Sequence, residues 1–376
     1  MSRTVTLVLV DGSGALLGAL PPVTVALPYW QEVADVVAAA RERFGIEVTI
    51  LRILDTERPV PHGGAVTYLG QADEVPAELV AAPDVDLAPH PLRAAYAEPG
   101  GPAASLRWAA KTRAFRSATQ LRTWNLSSIW RLDTGDGPVW LKQVPHFLAH
   151  EAAVLRWAAQ TVKVPTVLAA ADGRVLLDHI PGADLYGAGV ETRYAIAAEF
   201  HPLQVAAAGS VDTLLAAGVP DRRTGPLLDA ITAVAAGRSA ELDALVAGLP
   251  ERFAAIEACG LPDTLVHGDL HPGNVRGDAE HRTIIDWGDS FIGHPGFDIL
   301  RLSEGADDPQ LVATWAERWR TDVPGSDPLR AVELLRPVAA LRSATVYATF
   351  LANIEPAEHK YHAADVGDCL AAALSG

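Results

Sequence analysis

Residues 266–289 read VHGDLHPGNVRGDAEHRTIIDWGD, a run that few folds can present. It sets an acid, an amide and a second acid, Asp269, Asn274 and Asp286, on a short loop and at the end of an apolar stretch. An aspartate five residues before an asparagine, then an apolar run closing in Asp-Trp-Gly, suits metal-dependent phosphoryl transfer. Such chemistry asks for one carboxylate to orient an attacking hydroxyl and for hard oxygen ligands on a divalent cation. His267 and His271 flank the first acid, and the oxygen-rich set assigns them to orienting the loop rather than to holding zinc.

The rest of the chain sets bounds on that reading. Its 376 residues suit two or three domains, each with enough apolar content for a core. Cys259 and Cys369 stand far apart and outside any metal-ligand spacing, so neither a disulfide framework nor a structural zinc is expected. The first apolar run is too short for a signal peptide, and no stretch reaches about 18 uninterrupted apolar residues. The expectation is a soluble, cytoplasmic protein with no membrane partner. A formal net charge of −16 argues against a nucleic-acid partner and is compatible with a cationic small substrate.

Residues 1–85 alternate strand and helix signals. A β-branched run over 4–10, a turn at 11–14 and a second apolar run over 15–20 predict a hairpin. An alanine-rich helix over 30–44 follows, with Gly45 at its C-cap, and then strands over 47–54 and 65–69. Residues 83–104, rich in proline, alanine and glycine, read as a linker, and 105–115 as a short basic helix. Strands over 120–125, 128–132 and 139–144, a helix over 146–159, and strands over 166–170 and 174–179 come next; beyond Pro181 the pattern is mostly helical.

Lys142 is one of only four lysines and lies in the apolar third strand, VWLKQV. A strand lysine ordinarily faces solvent, but Glu151, nine residues on in a helix, is a ready counter-ion. Such a pair holds an ammonium against the α- and β-phosphates of ATP. The turn between the first two strands, TWNLSS, lacks glycine, leaving Ser127 and Ser128 as candidate donors to the phosphates.

VHGDLHPGNV and TIIDWGDS resemble the aminoglycoside phosphotransferase and choline kinase-like group, small-molecule kinases with the protein-kinase fold. The resemblance extends through WLKQV, HEAAVLRWAA, LLDHIPGADL and GHPGFDILRL. It implies an α+β, two-lobed protein-kinase-like fold, with an antiparallel-sheet small lobe at 119–180 and a mostly helical large lobe at 181–376, after a linker and connector helix at 86–118. It also implies ATP-dependent transfer of the γ-phosphate to the hydroxyl of a small molecule, with GTP left open as donor. Asp269 would then serve as catalytic base or orienting carboxylate, Asn274 and Asp286 as Mg2+ ligands, and Lys142 and Glu151 as the phosphate-holding pair. The carbonyl of Asp178 and the amide of Ile180 would meet adenine, and Asp298 would buttress the large lobe.

The acceptor class stays open among sugars, amino-sugars, aminoglycosides, macrolides, choline-like compounds and amino-alcohols. Asp289, Glu304, Asp307, Glu355 and Glu358 are candidates for holding a cationic one. A protein acceptor is disfavoured, because His271 stands where a protein kinase carries lysine and few residues separate Asp286 from Asp298. The alternative, suggested by the glycine-free turn, is a nucleotide-binding pseudokinase or regulatory scaffold.

The first 85 residues resemble a small α/β Nudix-like domain. Glu42, Gly45 and Ile46 fit the end of the Nudix metal-binding box, but Ala38, Ala39 and Arg43 replace the expected arginine and two glutamates. Without those carboxylates a magnesium site is not expected, and the domain is read as catalytically degenerate. Oligomeric state is not legible.

Overall fold

The computed structural model describes residues 2–278, 280–306 and 308–375. It divides into two compact units, and the chain passes between them several times. Unit 1 comprises Met1–Ala149, Val167–His179 and Thr349–Ala363; unit 2 comprises His150–Thr166, Ile180–Ala348 and Ala364–Gly376.

Unit 1 holds two five-stranded sheets. In the first, β1 (Arg3–Val10) pairs antiparallel with β2 (Leu16–Ala19) and β3 (Val23–Val25). After helix α1 (Ala34–Phe44) come β4 (Thr49–Thr56) and β5 (Gly64–Gln71), giving the order β2-β1-β5-β4, with β1 and β5 parallel. The β1 sequence is apolar without alternation because both faces are covered. Leu7 and Leu9 join the core around Trp30 and Tyr68, while Val8 and Val10 join a second one with Leu51 and Leu69. The helix starts at Ala34 rather than at Trp30, whose indole is fully buried and donates to Gly63 O at 2.9 Å. Gly45 takes the left-handed C-cap as expected, with φ 69°.

The supposed linker is packed over part of its length. Tyr96 is buried and its hydroxyl donates to Trp124 O at 2.8 Å, and α2 (Gly101–Thr112) follows directly. The second sheet is antiparallel throughout. It consists of β6 (Ser117–Trp124), β7 (Ser127–Thr134), β8 (Gly137–Gln143), β9 (Val167–Ala171) and β10 (Arg174–Asp178), in the order β6-β7-β8-β10-β9. Gln120, buried on β6, satisfies both backbone groups of Ile50 on edge strand β4, accepting from its N–H at 2.8 Å and donating to its carbonyl at 2.7 Å. A buried strand edge needs such partners, and this one links the two sheets.

The late segment Thr349–Ala363 completes unit 1. Glu355 pairs with Arg93 at 2.8 Å and Arg52 at 3.5 Å, all three side chains being buried. Tyr361 meets Trp30 and Trp124 edge-on at 5.8 and 5.6 Å.

Unit 2 is mostly helical. It contains α3 (Glu151–Ala158), strand β11 (Ala183–Asp184) and the helices α4 (Val190–Ala208), α5 (Val211–Ala216), α6 (Thr224–Ala235), α7 (Ala240–Ala247) and α8 (Leu249–Glu257). Four short strands follow: β12 (Thr264–Val266), β13 (Val275–Gly277), β14 (Arg282–Ile284) and β15 (Phe291–Gly293). Then come α9 (Gly296–Ser303), α10 (Pro309–Asp322), most of α11 (Pro328–Asn353) and α12 (Asp365–Ser375). β12 pairs with β15, and β13 pairs with both β14 and β11, so two small ladders frame the loop that carries Asp269. Among the described residues, no helix is long and apolar enough to cross a membrane.

Candidate active site

β12 is fully buried and delivers the chain into His267-Gly268-Asp269. The turn is held from below by Asp298 on α9, whose carboxylate accepts from the backbone N–H of His267 at 3.0 Å and of Gly268 at 3.1 Å, and from Gln204 Nε2 at 3.1 Å. Burial pushes the Asp298 carboxyl up to about 7, against the pull of those donors and of Arg342. Gly268 has φ +86°, and a Cβ there would sit 2.2 Å from Asp289 O, so only glycine fits. Its carbonyl accepts from Arg342 Nη1 at 3.0 Å, and the Arg342 guanidinium also lies over the Phe291 ring at 4.5 Å.

His267 is fully buried and stays neutral. Burial lowers it to about 4 despite the nearby Asp269 charge. Its Nε2 faces the Ile285 carbonyl at 3.0 Å, and its Nδ1 accepts from Asp269 N–H at 3.3 Å, which fixes the proton on Nε2. His271 follows the same pattern, with Nδ1 accepting from Gly273 N–H at 3.1 Å and Nε2 lying 3.4 Å from Asp269 Oδ2. Both histidines thus orient the loop, as their neighbourhood in the sequence suggests.

The Asp269 carboxylate is gripped at both oxygens. Oδ1 accepts from Arg301 Nε at 2.7 Å, and Oδ2 from Asn274 Nδ2 at 2.9 Å. Burial alone would raise this carboxyl, but the His271 hydrogen bond and the Arg301 charge outweigh it and hold Asp269 well below the usual carboxylate range. Asn274 closes a 3-10 turn over Pro272–Asn274, and its carbonyl accepts from Ile285 N–H at 2.9 Å, which ties the loop to the approach to Asp286.

Asp286 is exposed and left-handed, with φ 63° and ψ 64°. A non-glycine residue in that region carries strain and commonly marks a functional position. The turn is anchored behind it, where Trp287 is fully buried, donates its indole N–H to Ile284 O at 3.1 Å and stacks at a tilt against His267, 4.7 Å between centroids. Trp287 N–H donates to Oε1 of Glu151, which is buried on α3.

Asn274 and Asp286 carry the kind of oxygen that could hold a magnesium ion. Asn274 gives its amide nitrogen to Asp269, so its oxygen is the atom that could serve as a ligand, and Asp286 could add a carboxylate. Among the described residues no group of three or more His, Cys, Asp or Glu side chains is poised for a metal. Two hard oxygens, completed by phosphate and water, match magnesium rather than an all-protein cage.

Of the remaining nucleotide-binding candidates, Lys142, Ser127, Ser128 and Asp178 lie in unit 1 and Ile180 in unit 2. Lys142 is buried in β8 between Ile129 and Val175 of the flanking strands. Ser127 and Ser128 are buried at the start of β7, where each hydroxyl accepts from an indole N–H, that of Trp124 at 3.0 Å and that of Trp130 at 3.2 Å. The turn they follow, Asn125-Leu126, is pinned by Asn125 Nδ2 donating to Glu358 O at 3.2 Å. Asp178 ends β10, and its side chain caps His179 N–H at 2.8 Å. Ile180 is half-buried at the opening of a unit 2 segment.

Of the acids proposed for a cationic acceptor, Asp289 and Glu304 belong with the catalytic loop, Glu304 being paired with Arg301. Glu355 and Glu358 are instead buried in unit 1 beside Arg93 and Arg52, and Asp307 lies outside the described residues. Sequence reasoning missed Arg301, Arg342 and Gln204. Only Arg301 left a signal, standing three residues after Asp298 on one helix and so on the same face.

Comparison with known proteins bears on the family and the fold. A sequence model described as the phosphotransferase enzyme family matches residues 118–332, more than half of the chain. A methylthioribose kinase from Exiguobacterium sibiricum is 41% identical over 81 residues, 20% of this chain and 21% of that protein, so the match spans about a fifth of the relative's length. Among solved structures, the choline kinase LicA from Streptococcus pneumoniae aligns with a TM-score of 0.53 at 12% identity, over 72% of this chain and 98% of that one. The macrolide 2'-phosphotransferase MphH from Brachybacterium faecium gives 0.52 at 18%, over 70% and 97%. The GDP and kanamycin complex of APH(2")-IIia gives 0.51 at 17%, over 73% and 96%. At these identities the likeness is one of fold, the α+β kinase-like arrangement of antiparallel sheet and helical region. None of these matches tests the Nudix-like reading of the first sheet, since the family match begins after it. The chain belongs to the phosphotransferase enzyme family.

Proposed function

We propose that this protein is an ATP- and Mg2+-dependent O-phosphotransferase that moves the γ-phosphate onto the hydroxyl of a small molecule. The observation that carries the reading is the Asp269 carboxylate, kept ionised and gripped at both oxygens by Arg301 and Asn274 on a loop with no freedom at Gly268. A carboxylate held so acidic is a poor proton acceptor. Its part is to orient the acceptor hydroxyl in line with the phosphorus and to take the proton late, as a loose transition state permits. Oδ1, which accepts from Arg301, keeps a lone pair for that hydroxyl.

Asn274 and Asp286 would hold the magnesium, which when bound would neutralise charge building on the phosphate oxygens. Lys142 is assigned to the α- and β-phosphates of the nucleotide. Asp289 and Glu304 favour an acceptor with an amino group, of aminoglycoside, amino-sugar or amino-alcohol type.

An ADP-release screen tests the proposal. Aminoglycosides, macrolides, choline, ethanolamine and methylthioribose would be offered with Mg2+ and with either ATP or GTP, the latter because one structural neighbour was solved with GDP. The expected result is turnover of at least one acceptor, lost in Asp269→Ala while nucleotide binding persists. Wild-type turnover in Asp269→Ala would sink the assignment.

A second reading, a nucleotide-binding pseudokinase, is favoured by one feature: the Ser127 and Ser128 hydroxyls already accept from tryptophans in a glycine-free turn. Saturable nucleotide binding with no ADP release across the whole screen would select it.

A further inference from the structure

Tyr186 is the most exposed large apolar side chain among the described residues, at 76%. Single exposed hydrophobics are ordinary on a protein surface, so exposure alone does not mark a site. What sets Tyr186 apart is where it stands and how firmly it is held. It follows β11, whose Ala183 and Asp184 pair with Gly277 and Arg276 of β13, the strand that leaves the Asp269 loop. Leu185 N–H donates to Val275 O at 3.0 Å, Tyr186 N–H to Asp184 Oδ1 at 3.2 Å, and Ala188 N–H to Leu185 O at 2.8 Å. The backbone under the ring is tied down on both sides, while most of the ring is left to solvent.

The ring rests on the catalytic loop through its Cδ2 edge. It stands perpendicular to the His271 imidazole, 6.3 Å between centroids, and a Cβ added to Gly273 would lie 2.7 Å from its Cδ2. Glycine at 273 therefore makes the room that the ring occupies. His271 Nε2 in turn lies 3.4 Å from Asp269 Oδ2, so one imidazole separates the tyrosine from the carboxylate. Tyr186, Asp269, His271 and Gly273 all belong to unit 2.

A tyrosine ring held in place beside a reacting group loses little entropy on contact and gains by covering an apolar face. An acceptor whose hydroxyl meets Asp269 Oδ1 reaches this ring only by extending past the carboxylate and the His271 imidazole. An amino-alcohol the size of ethanolamine is too short for that, whereas a sugar ring spans it. We propose that Tyr186 determines acceptor specificity: a ring-bearing acceptor, a sugar or amino-sugar, packs against it while its hydroxyl is held at Asp269. The inference rests on the phosphotransfer reading above and narrows it, setting aside the short linear amino-alcohols. Such a contact is made equally in the ground state and the transition state, so it sets acceptor affinity and leaves the chemical step alone.

The test uses the full-length protein with Mg2+, and with AMP-PNP for binding or ATP for rates. Calorimetry follows kanamycin and methylthioribose as ring-bearing probes and ethanolamine as the linear one, and initial rates give KM and kcat for each probe that is turned over. At least one ring-bearing probe is expected to bind the wild type. Tyr186→Ala should weaken it about tenfold, the scale of one aromatic contact, with kcat and the KM for ATP unchanged. Tyr186→Phe keeps the ring and should restore wild-type affinity. Ring-bearing probes bound equally by the wild type and Tyr186→Ala, or bound by neither, would overturn the proposal, as would a raised KM for ATP in place of weakened acceptor binding. Asp269→Ala keeps the two readings apart. Ethanolamine turnover lost in that variant, with no binding of the ring-bearing probes, would sink the role of Tyr186 and leave phosphotransfer standing.

Discussion

Asn274 donates its side-chain Nδ2 both to the backbone oxygen and to Oδ2 of Asp269, at 2.9 Å each. The five-residue spacing between them is what lets the chain turn through Pro272–Asn274 and bring the amide back to the acid. One residue therefore positions the acid with its nitrogen and, in the proposed reaction, would offer its oxygen to a cation.

Asn274→Ala removes both functions. A fall in kcat of about 10²- to 10³-fold is expected, the usual cost of losing a preorganised donor at a reacting centre. The magnesium concentration for half-maximal rate should rise as well. Initial rates across a magnesium series check this, and an unchanged magnesium dependence would remove Asn274 from the metal set.

Arg301 holds Asp269 acidic through a 2.7 Å contact. In Arg301→Gln the charge is gone and the Asp269 carboxyl moves back up toward its ordinary value. The acid limb of the pH–rate profile should shift to higher pH by about one unit, the lower end of what a neighbouring cation does. A profile that falls uniformly with no movement of the limb would mean that Arg301 acts elsewhere.

Two glycines separate backbone strain from lack of room. Gly45 has φ +69° with nothing within 4 Å of a built Cβ, so Gly45→Ala should cost only about 1 kcal/mol for the left-handed conformation. Gly268 has φ +86° and a Cβ would clash with Asp289 O, so Gly268→Ala should cost more than about 2 kcal/mol and distort the loop. Urea midpoints of the two variants, read side by side, give the difference directly.

His267 makes the stability depend on acid. Its pKa falls from 6.5 to about 4 on burial, so the folded state holds the neutral ring and the unfolded chain takes the proton first. The contribution, on the order of 3 kcal/mol, is fully present above pH 6.5 and disappears as the pH falls through about 4. Asp298 and Glu358, raised to about 7 and 8, run the other way, and their stabilisation fades as pH rises through those values. Comparing the wild type with His267→Gln at pH 7 and pH 4 isolates the histidine. The variant should lose less stability between the two.

Legibility in the sequence followed distance along the chain. The antiparallel sheet β6-β7-β8-β10-β9 was readable because each strand pair is joined by a short turn or by one helical excursion. The closeness of Asn274 to Asp269 was readable because five residues span it. Arg301 and Arg342 were not, since they reach Asp269 and Gly268 from 32 and 74 residues away on helices whose docking leaves no local period. Glu355 and Glu358, buried in unit 1, stand among the candidates for a cationic acceptor for the same reason. Only packing reveals that Arg52 and Arg93 bury Glu355.

The contacts that tie Thr349–Ala363 into unit 1 join residues more than two hundred positions apart, Arg93 with Glu355 and Asn125 with His362 among them. During synthesis the first unit therefore stays unfinished until residues 349–363 have left the ribosome. Both of its sheets can form early, but the buried arginines Arg52 and Arg93 wait for their carboxylate. A nascent chain stalled anywhere before residue 349 should be held as a protease-sensitive intermediate, and a stop codon placed before residue 349 should destabilise the first unit.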